Sequence, residues 1–143
     1  MSYTTHWLHC VWRTKDNSII LPHKHRPDIL AHFREYTKGK SIMLDYINLH
    51  KNHVHALINL GKEQSISKVM QLVKGESAHW INNQKFLRIH FSWQDDYYAV
   101  SVSPSHIERV RNYIANQDEH HKNMTWEEEV DKFLDKWGTK NRD

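Results

Sequence analysis

Ser41-Ile42-Met43-Leu44-Asp45-Tyr46-Ile47-Asn48-Leu49, then His50-Lys51-Asn52, then His53-Val54-His55-Ala56-Leu57-Ile58-Asn59-Leu60 is the stretch that decides the fold. Both halves are apolar, carry β-formers such as Ile, Val and Tyr, and have the length of one strand. Three polar residues separate them, and so short a connection joins antiparallel neighbours. Residues 41–49 and 53–60 are therefore predicted to form a β-hairpin. In the second strand Val54, Ala56, Ile58 and Leu60 point one way, into a core. His53 and His55 point together the other way, because residues two apart in a strand share a face.

Working outward, residues 4–14 alternate weakly and are rich in Trp, Val and Thr, which predicts a first strand. A polar loop, Lys15-Asp16-Asn17-Ser18, follows it. After Pro22 and Pro27, Ile29, Leu30, Phe33 and Tyr36 recur at helical spacing over 28–38, with Gly39 as the stop. Beyond the hairpin, Gly61 ends the strand and Ser65 is an N-cap. Ile66, Val69, Met70 and Val73 then share one helical face, and Gly75 is expected to loosen the helix before Trp80 and Ile81. Residues 91–93 and 97–102 read as strands around an Asp95-Asp96 turn. Ser103-Pro104 opens a helix expected over about 104–121. Thr125 and Glu128 form a capping box for a last amphipathic helix at about 126–137, striped by Val130, Phe133, Leu134 and Trp137. The order β-α-β-β-α-β plus two helices predicts an α+β fold, a ferredoxin-like antiparallel sheet with helices covering one face. No repeat or linker interrupts it, so residues 1–143 read as a single domain.

Composition bounds the function. At 143 residues, 38% of them hydrophobic, the chain can bury a core. No apolar run is long enough to cross a bilayer, and the start lacks the basic-then-apolar pattern of a secretion signal. A single cysteine, Cys10, suits a reducing compartment, so the expected location is cytoplasmic. The formal charge of +3 permits a polyanion partner, but without a long Lys/Arg block any nucleic-acid contact has to be a local patch. The 13 histidines are the odd feature.

Two His-x-His pairs occur. His23-Lys24-His25 lies in a Pro-bounded basic loop and reads as solvated. His53 and His55 share a strand face, where two imidazoles side by side can hold one divalent cation. Two exposed strand histidines are the plainer alternative. In the helix after Pro104, Tyr113 and Gln117 lie one turn apart on one face, flanking the apolar stripe of Ile107, Val110 and Ile114. A phenol attacks phosphorus when the phosphate is neutralised and positioned in line. The amide oxygen of Gln117 could serve as a third metal ligand. A half-buried tyrosine beside a solvated glutamine is the alternative there.

Taken together, His53-Val54-His55 on a strand and Tyr113-Ile114-Ala115-Asn116-Gln117 with His120-His121 on a later helix resemble the single-tyrosine HUH transposases. These belong to small bacterial insertion sequences of the two-hundred group, HUH standing for His, hydrophobic, His. The resemblance spans nearly the whole chain. It extends to His9-Cys10-Val11-Trp12-Arg13-Thr14-Lys15, Lys74-Gly75 and Trp93-Gln94, and departs at Asp96, where a glycine would be expected before Tyr97.

The resemblance implies that His53 and His55 bind Mg²⁺ or Mn²⁺ with Gln117 as third ligand, polarising a phosphate of single-stranded DNA. Tyr113 is then the nucleophile, giving a 5′-phosphotyrosine link and a free 3′-OH, reversibly and without ATP. It also implies a homodimer, often with the tyrosine helix completing the partner's site. The implied substrate is single-stranded DNA with imperfect hairpins at the ends of an element, met on the bacterial nucleoid. Lys68, Lys74 and Lys85 are candidate phosphate contacts, with solvated surface lysines as the alternative. Trp80, Trp93, Tyr97 and Tyr98 could stack on bases, although core packing suits most of them better. Trp126, Phe133, Leu134 and Trp137 are expected to dock the last helix, and Cys10 to fill the core. The competing functions are a hairpin-DNA-binding relative that does not cut, and an RNA endonuclease or RNA-binding module using the histidines without metal.

Overall fold

The computed structural model describes residues 2–116 and 125–137. The decisive hairpin forms as expected, with β2 (Met43–His50) and β3 (His53–Leu60) antiparallel and His50 opposite His53. Two residues turn the chain, and Lys51 takes a φ of 38° to do so, the left-handed backbone on which tight hairpins rely. β1 (His6–Arg13) is shorter than the 4–14 expected, because its partner β3 ends at Leu60, opposite His6. Thr14 instead bridges to Trp93.

α1 (Arg26–Gly39) has Pro27 in its first turn and buries Ile29, Phe33 and Thr37, spaced one turn apart. α2 (Ile66–Gln84) begins at Ser65, whose Oγ accepts a hydrogen bond from the Lys68 N–H at 3.2 Å. Gly75 does not loosen it. Ser77 and Ile81 continue the buried stripe of Val69, Met70 and Val73, so tertiary packing carries the helix through.

Residues 91–93 do not form the expected strand. The Asn82 side chain occupies the backbone of Phe91, accepting from its N–H at 2.7 Å and donating to its carbonyl at 2.8 Å. No ladder can use those groups. β4 (Tyr98–Val102) pairs with β1, completing an antiparallel sheet of order β2-β3-β1-β4. The chain thus follows the expected β-α-β-β-α-β order. On one face Cys10, Trp12, Ile47, Leu49, Val54, Ala56 and Ile58 pack with Ile29 and Phe33 of α1 and Val69, Met70 and Val73 of α2. Burial pushes the Cys10 thiol up to about 12, leaving it an inert core group.

The second face departs from the expectation of helices on one side only. Trp7, Val11, Leu57, Val100 and Val102 make it apolar as well, and such a face has to be covered. Its cover is α3 (Ile107–Ala115), through Val110, Tyr113 and Ile114, and α4 (Trp126–Trp137), through Val130 and Phe133. The tyrosine helix begins later than 104, since Pro104–His106 is a separate 3-10 turn. Ser103 does not cap it, and its hydroxyl meets that of Ser105 at 3.0 Å instead. Residues 117–124, the expected continuation to about 121, lie outside the described residues. No helix among the described residues is long and apolar enough to cross a membrane.

Candidate metal and tyrosine site

The side chains of His53 and His55 share the second face of the sheet, as their spacing requires, but they are buried rather than exposed. His55 is 0% and His53 3% exposed. Both Nε2 atoms lie 2.8 Å from the same oxygen, Oε1 of Glu129 on α4. The donor atoms of these three residues fall within 4.8 Å of one another. The other ring nitrogens are also engaged. Nδ1 of His53 lies 3.0 Å from Asn52 Oδ1, and Nδ1 of His55 lies 2.9 Å from Nε2 of His9, a fully buried residue of β1. Each imidazole is thus held from behind while its Nε2 faces the carboxylate, the way metal-binding histidines are oriented.

Local structure explains how Glu129 arrives. Thr125 Oγ1 accepts from the Glu128 N–H at 3.1 Å and opens α4 as the capping pattern predicted. Glu129 precedes Phe133 by one turn, so the two share a face. Phe133 packs edge-on against His9 and His55, with ring centroids 4.8 and 6.4 Å apart. Phe133 is buried, as the expected docking of the last helix requires, while the side chains of Trp126, Leu134 and Trp137 lie outside the described residues.

Tyr113 is 4% exposed, deeper than a flank position suggested, because the second face is covered. Its ring meets His9 and His55 edge-on at 5.9 and 5.8 Å. Nucleophile candidate and histidine pair therefore lie together within one chain. Two contacts fix α3 over them. Asn48, opposite His55 on β2, donates to the Ile114 carbonyl at 2.9 Å. Arg111 forks onto Asp45, with Nε–Oδ1 2.7 Å and Nη2–Oδ2 2.6 Å, and also pairs with Glu108. Asp45 stands at an irregularity of the β2–β3 register, which aims it at α3. Asn48→Ala is expected to lower stability by about 1 kcal/mol, since it leaves a helix-end carbonyl without its donor. Urea denaturation of the two proteins measures this.

The electrostatics are those of a tightly packed polar site. Burial lowers the His55 imidazole; Glu129 opposes that shift, and the charges of His53 and His50 reinforce it. For Glu129, burial pushes the carboxyl up, but hydrogen bonds from His53 and His55, and their charges, hold it well below the usual carboxylate range. Burial, and then the Glu129 charge, raise the Tyr113 phenol far above its ordinary value of 10. Two imidazole nitrogens and a carboxylate oxygen suit Mn²⁺ well and Mg²⁺ less well, because Mg²⁺ prefers oxygen throughout. The residues present therefore fit a divalent cation.

The remaining sequence candidates separate. Gln117, His120 and His121 lie outside the described residues. Lys68 and Lys74 lie on α2 and Lys85 caps it, across the sheet from the histidines. Lys68 and Lys85 are exposed. The Lys74 ammonium donates to the carbonyls of Gln94, Asp95 and Asp96 at 2.6, 2.9 and 3.3 Å, fastening the loop before β4. Trp93 is a core residue whose Nε1 donates to Ser77 Oγ at 2.9 Å, while Trp80 stacks on His32 at 4.2 Å. His25 of the first pair stacks on Phe86 at 4.0 Å. Glu129, His9 and His50 were not found from sequence. The available signals were the one-turn spacing of Glu129 and Phe133, and the alternation Trp7-His9-Val11, which places His9 on the face of Val11, the neighbour of His55.

A family model described as "Transposase IS200 like" matches residues 2–117. The chain belongs to the IS200-like transposase family. Two solved structures share the fold of this transposase-family chain. One is an inferred transposase from Deinococcus radiodurans R1, 20% identical, with a TM-score of 0.66, covering 81% of this chain and 93% of its own. The other is a REP-associated tyrosine transposase bound to a REP hairpin, 11% identical, with a TM-score of 0.64, covering 85% of this chain and 72% of its own. No curated protein matches the sequence significantly.

Proposed function

We propose that this chain cleaves and rejoins single-stranded DNA at hairpin-bearing ends, with Tyr113 as nucleophile and a divalent cation, Mn²⁺ or Mg²⁺, at His53 and His55. The observation that carries this reading is the meeting of Tyr113, His53 and His55 with the Glu129 carboxylate in one buried cluster of an IS200-like transposase chain. The solved neighbour bound to a REP hairpin supports hairpin DNA as the substrate class. Glu129 supplies an oxygen donor, and Gln117, the family's third ligand by resemblance, is an additional one.

The chemistry follows from the residues. Oη of Tyr113 attacks the phosphorus of the scissile phosphodiester, and the P–O3′ bond breaks. The phenol proton is lost, the 3′ oxygen leaves as a hydroxyl, and the 5′ phosphate stays on the tyrosine. Attack by a 3′-OH on that phosphotyrosine runs the same exchange backward and joins strands. One bond replaces another of the same kind, so no nucleotide energy source is required. A bound dication supplies charge neutralisation at the phosphate, without which a phenol raised by burial is a poor nucleophile. His53 and His55 keep Nε2 turned toward it, with Asn52 and His9 holding the rings. Tyr113 lies beside His55 of its own chain, so one chain holds the groups this reading names.

The test uses the full chain and end-labelled single-stranded DNA carrying a terminal hairpin. With Mn²⁺ a denaturation-resistant protein–DNA adduct is expected, and EDTA is expected to abolish it. Hairpin binding without an adduct would favour the non-cutting relative. Cleavage of RNA without metal would favour the nuclease.

A further inference from the structure

We propose that His9 is a positioning residue of this site, holding the His55 ring so that Nε2 faces the cation and forming the wall against which Tyr113 rests. The proposal rests on the metal reading above and goes beyond it, since the family resemblance assigns no role to His9.

His9 is fully buried in the middle of β1, with Leu57 and Val100 as its neighbours on β3 and β4. Its position is therefore fixed by two ladders. Its Nε2 lies 2.9 Å from His55 Nδ1, a full hydrogen bond. The same ring touches Tyr113 at 5.9 Å and Phe133 at 4.8 Å between centroids. His9 is thus in contact with the proposed metal-binding imidazole, the nucleophile and the covering helix at once.

Packing alone does not explain a histidine there. Burying an imidazole costs desolvation that a phenylalanine of similar shape would avoid. What the imidazole adds is an acceptor for Nδ1–H of His55. When a cation takes the place of the Nε2–H that donates to Glu129 here, the His55 proton sits on Nδ1, where His9 Nε2 is placed to accept it. A carboxylate could accept the same bond, but it would place a second buried negative charge close to Glu129. A neutral imidazole orients His55 without that repulsion. Asn52 does the same for His53 with a neutral amide oxygen. Both proposed ligands are therefore buttressed by uncharged acceptors.

The experiment measures Mn²⁺ affinity of the full chain by electron paramagnetic resonance titration, with folding checked by circular dichroism. His9→Phe keeps the ring and removes the acceptor, and is expected to weaken Mn²⁺ binding about 10- to 100-fold. His9→Gln, whose amide oxygen can accept from Nδ1–H, is expected to recover most of the loss. A folded His9→Phe protein that binds Mn²⁺ within twofold of wild type overturns the proposal. If His9→Phe fails to fold, His9→Met against His9→Gln makes the same comparison, and equal affinities in that pair overturn it. Wild type that binds no better than a His53→Ala/His55→Ala double variant overturns the metal reading itself, an outcome distinct from a failure of His9 alone.

Discussion

Tyr113→Phe is expected to fold, to bind hairpin DNA as wild type does, and to form no covalent adduct at all. The substitution removes one oxygen and keeps the ring that packs edge-on to His9 and His55 and against Leu57, Val102, Val110 and Ile114. Its effect on stability should therefore stay within about 1 kcal/mol, the scale of one hydrogen bond. Its effect on the proposed chemistry is complete, because the attacking hydroxyl itself is removed. Denaturing gels with labelled DNA read the adduct, and mobility shift reads binding. An adduct that persists in Tyr113→Phe would mean the nucleophile has been misassigned.

Glu129→Ala carries the second large effect. One carboxylate oxygen joins α4 to two buried imidazoles, and removing it leaves those imidazoles without their shared acceptor. Breaking a buried polar pair from one side costs about 3 kcal/mol. The loss should appear as release of α4, because among the described residues Glu129 and Phe133 are buried α4 side chains that meet the histidines. Native-state hydrogen exchange is expected to show α4 amides losing protection while those of β1 and β3 keep it. Mn²⁺ affinity should fall more than tenfold in the same variant. The pH dependence has a definite sign. The folded state holds the Glu129 carboxyl below its ordinary value of 4.5, so the stabilisation is present above that value and is lost as pH falls through the lower folded value. Acidifying the metal-free wild type below about 4.5 should loosen α4, and Glu129→Ala should remove that dependence.

The hairpin and the element order were legible because β periodicity and turn length are local signals, visible in residues 41–60 alone. The pairing of His53 with His55 was legible for the same reason. Burial of that pair was not, because it depends on what covers the second face of the sheet. The alternation of Trp7, Val11, Leu57 and Val102 shows that face to be apolar only after the strands are placed side by side. Glu129 is 74 residues from His55, and its carboxylate looks like one more acid in Glu127-Glu128-Glu129 until helix docking selects it. His9 was read as strand residue rather than site residue because its partner is on another strand, and register is a tertiary property. The expected strand at 91–93 failed for a non-local reason too, the Asn82 side chain occupying the Phe91 backbone.

The cover over Tyr113 bears on when the protein can act. A phenol only 4% exposed offers little approach to a phosphodiester, so on the proposed function the packing around Tyr113 would have to open before a strand is cut. Encounter and incision would then be separate events, and a strand that cannot open that packing would leave the tyrosine unused. Single strands that merely touched the surface would then depart intact.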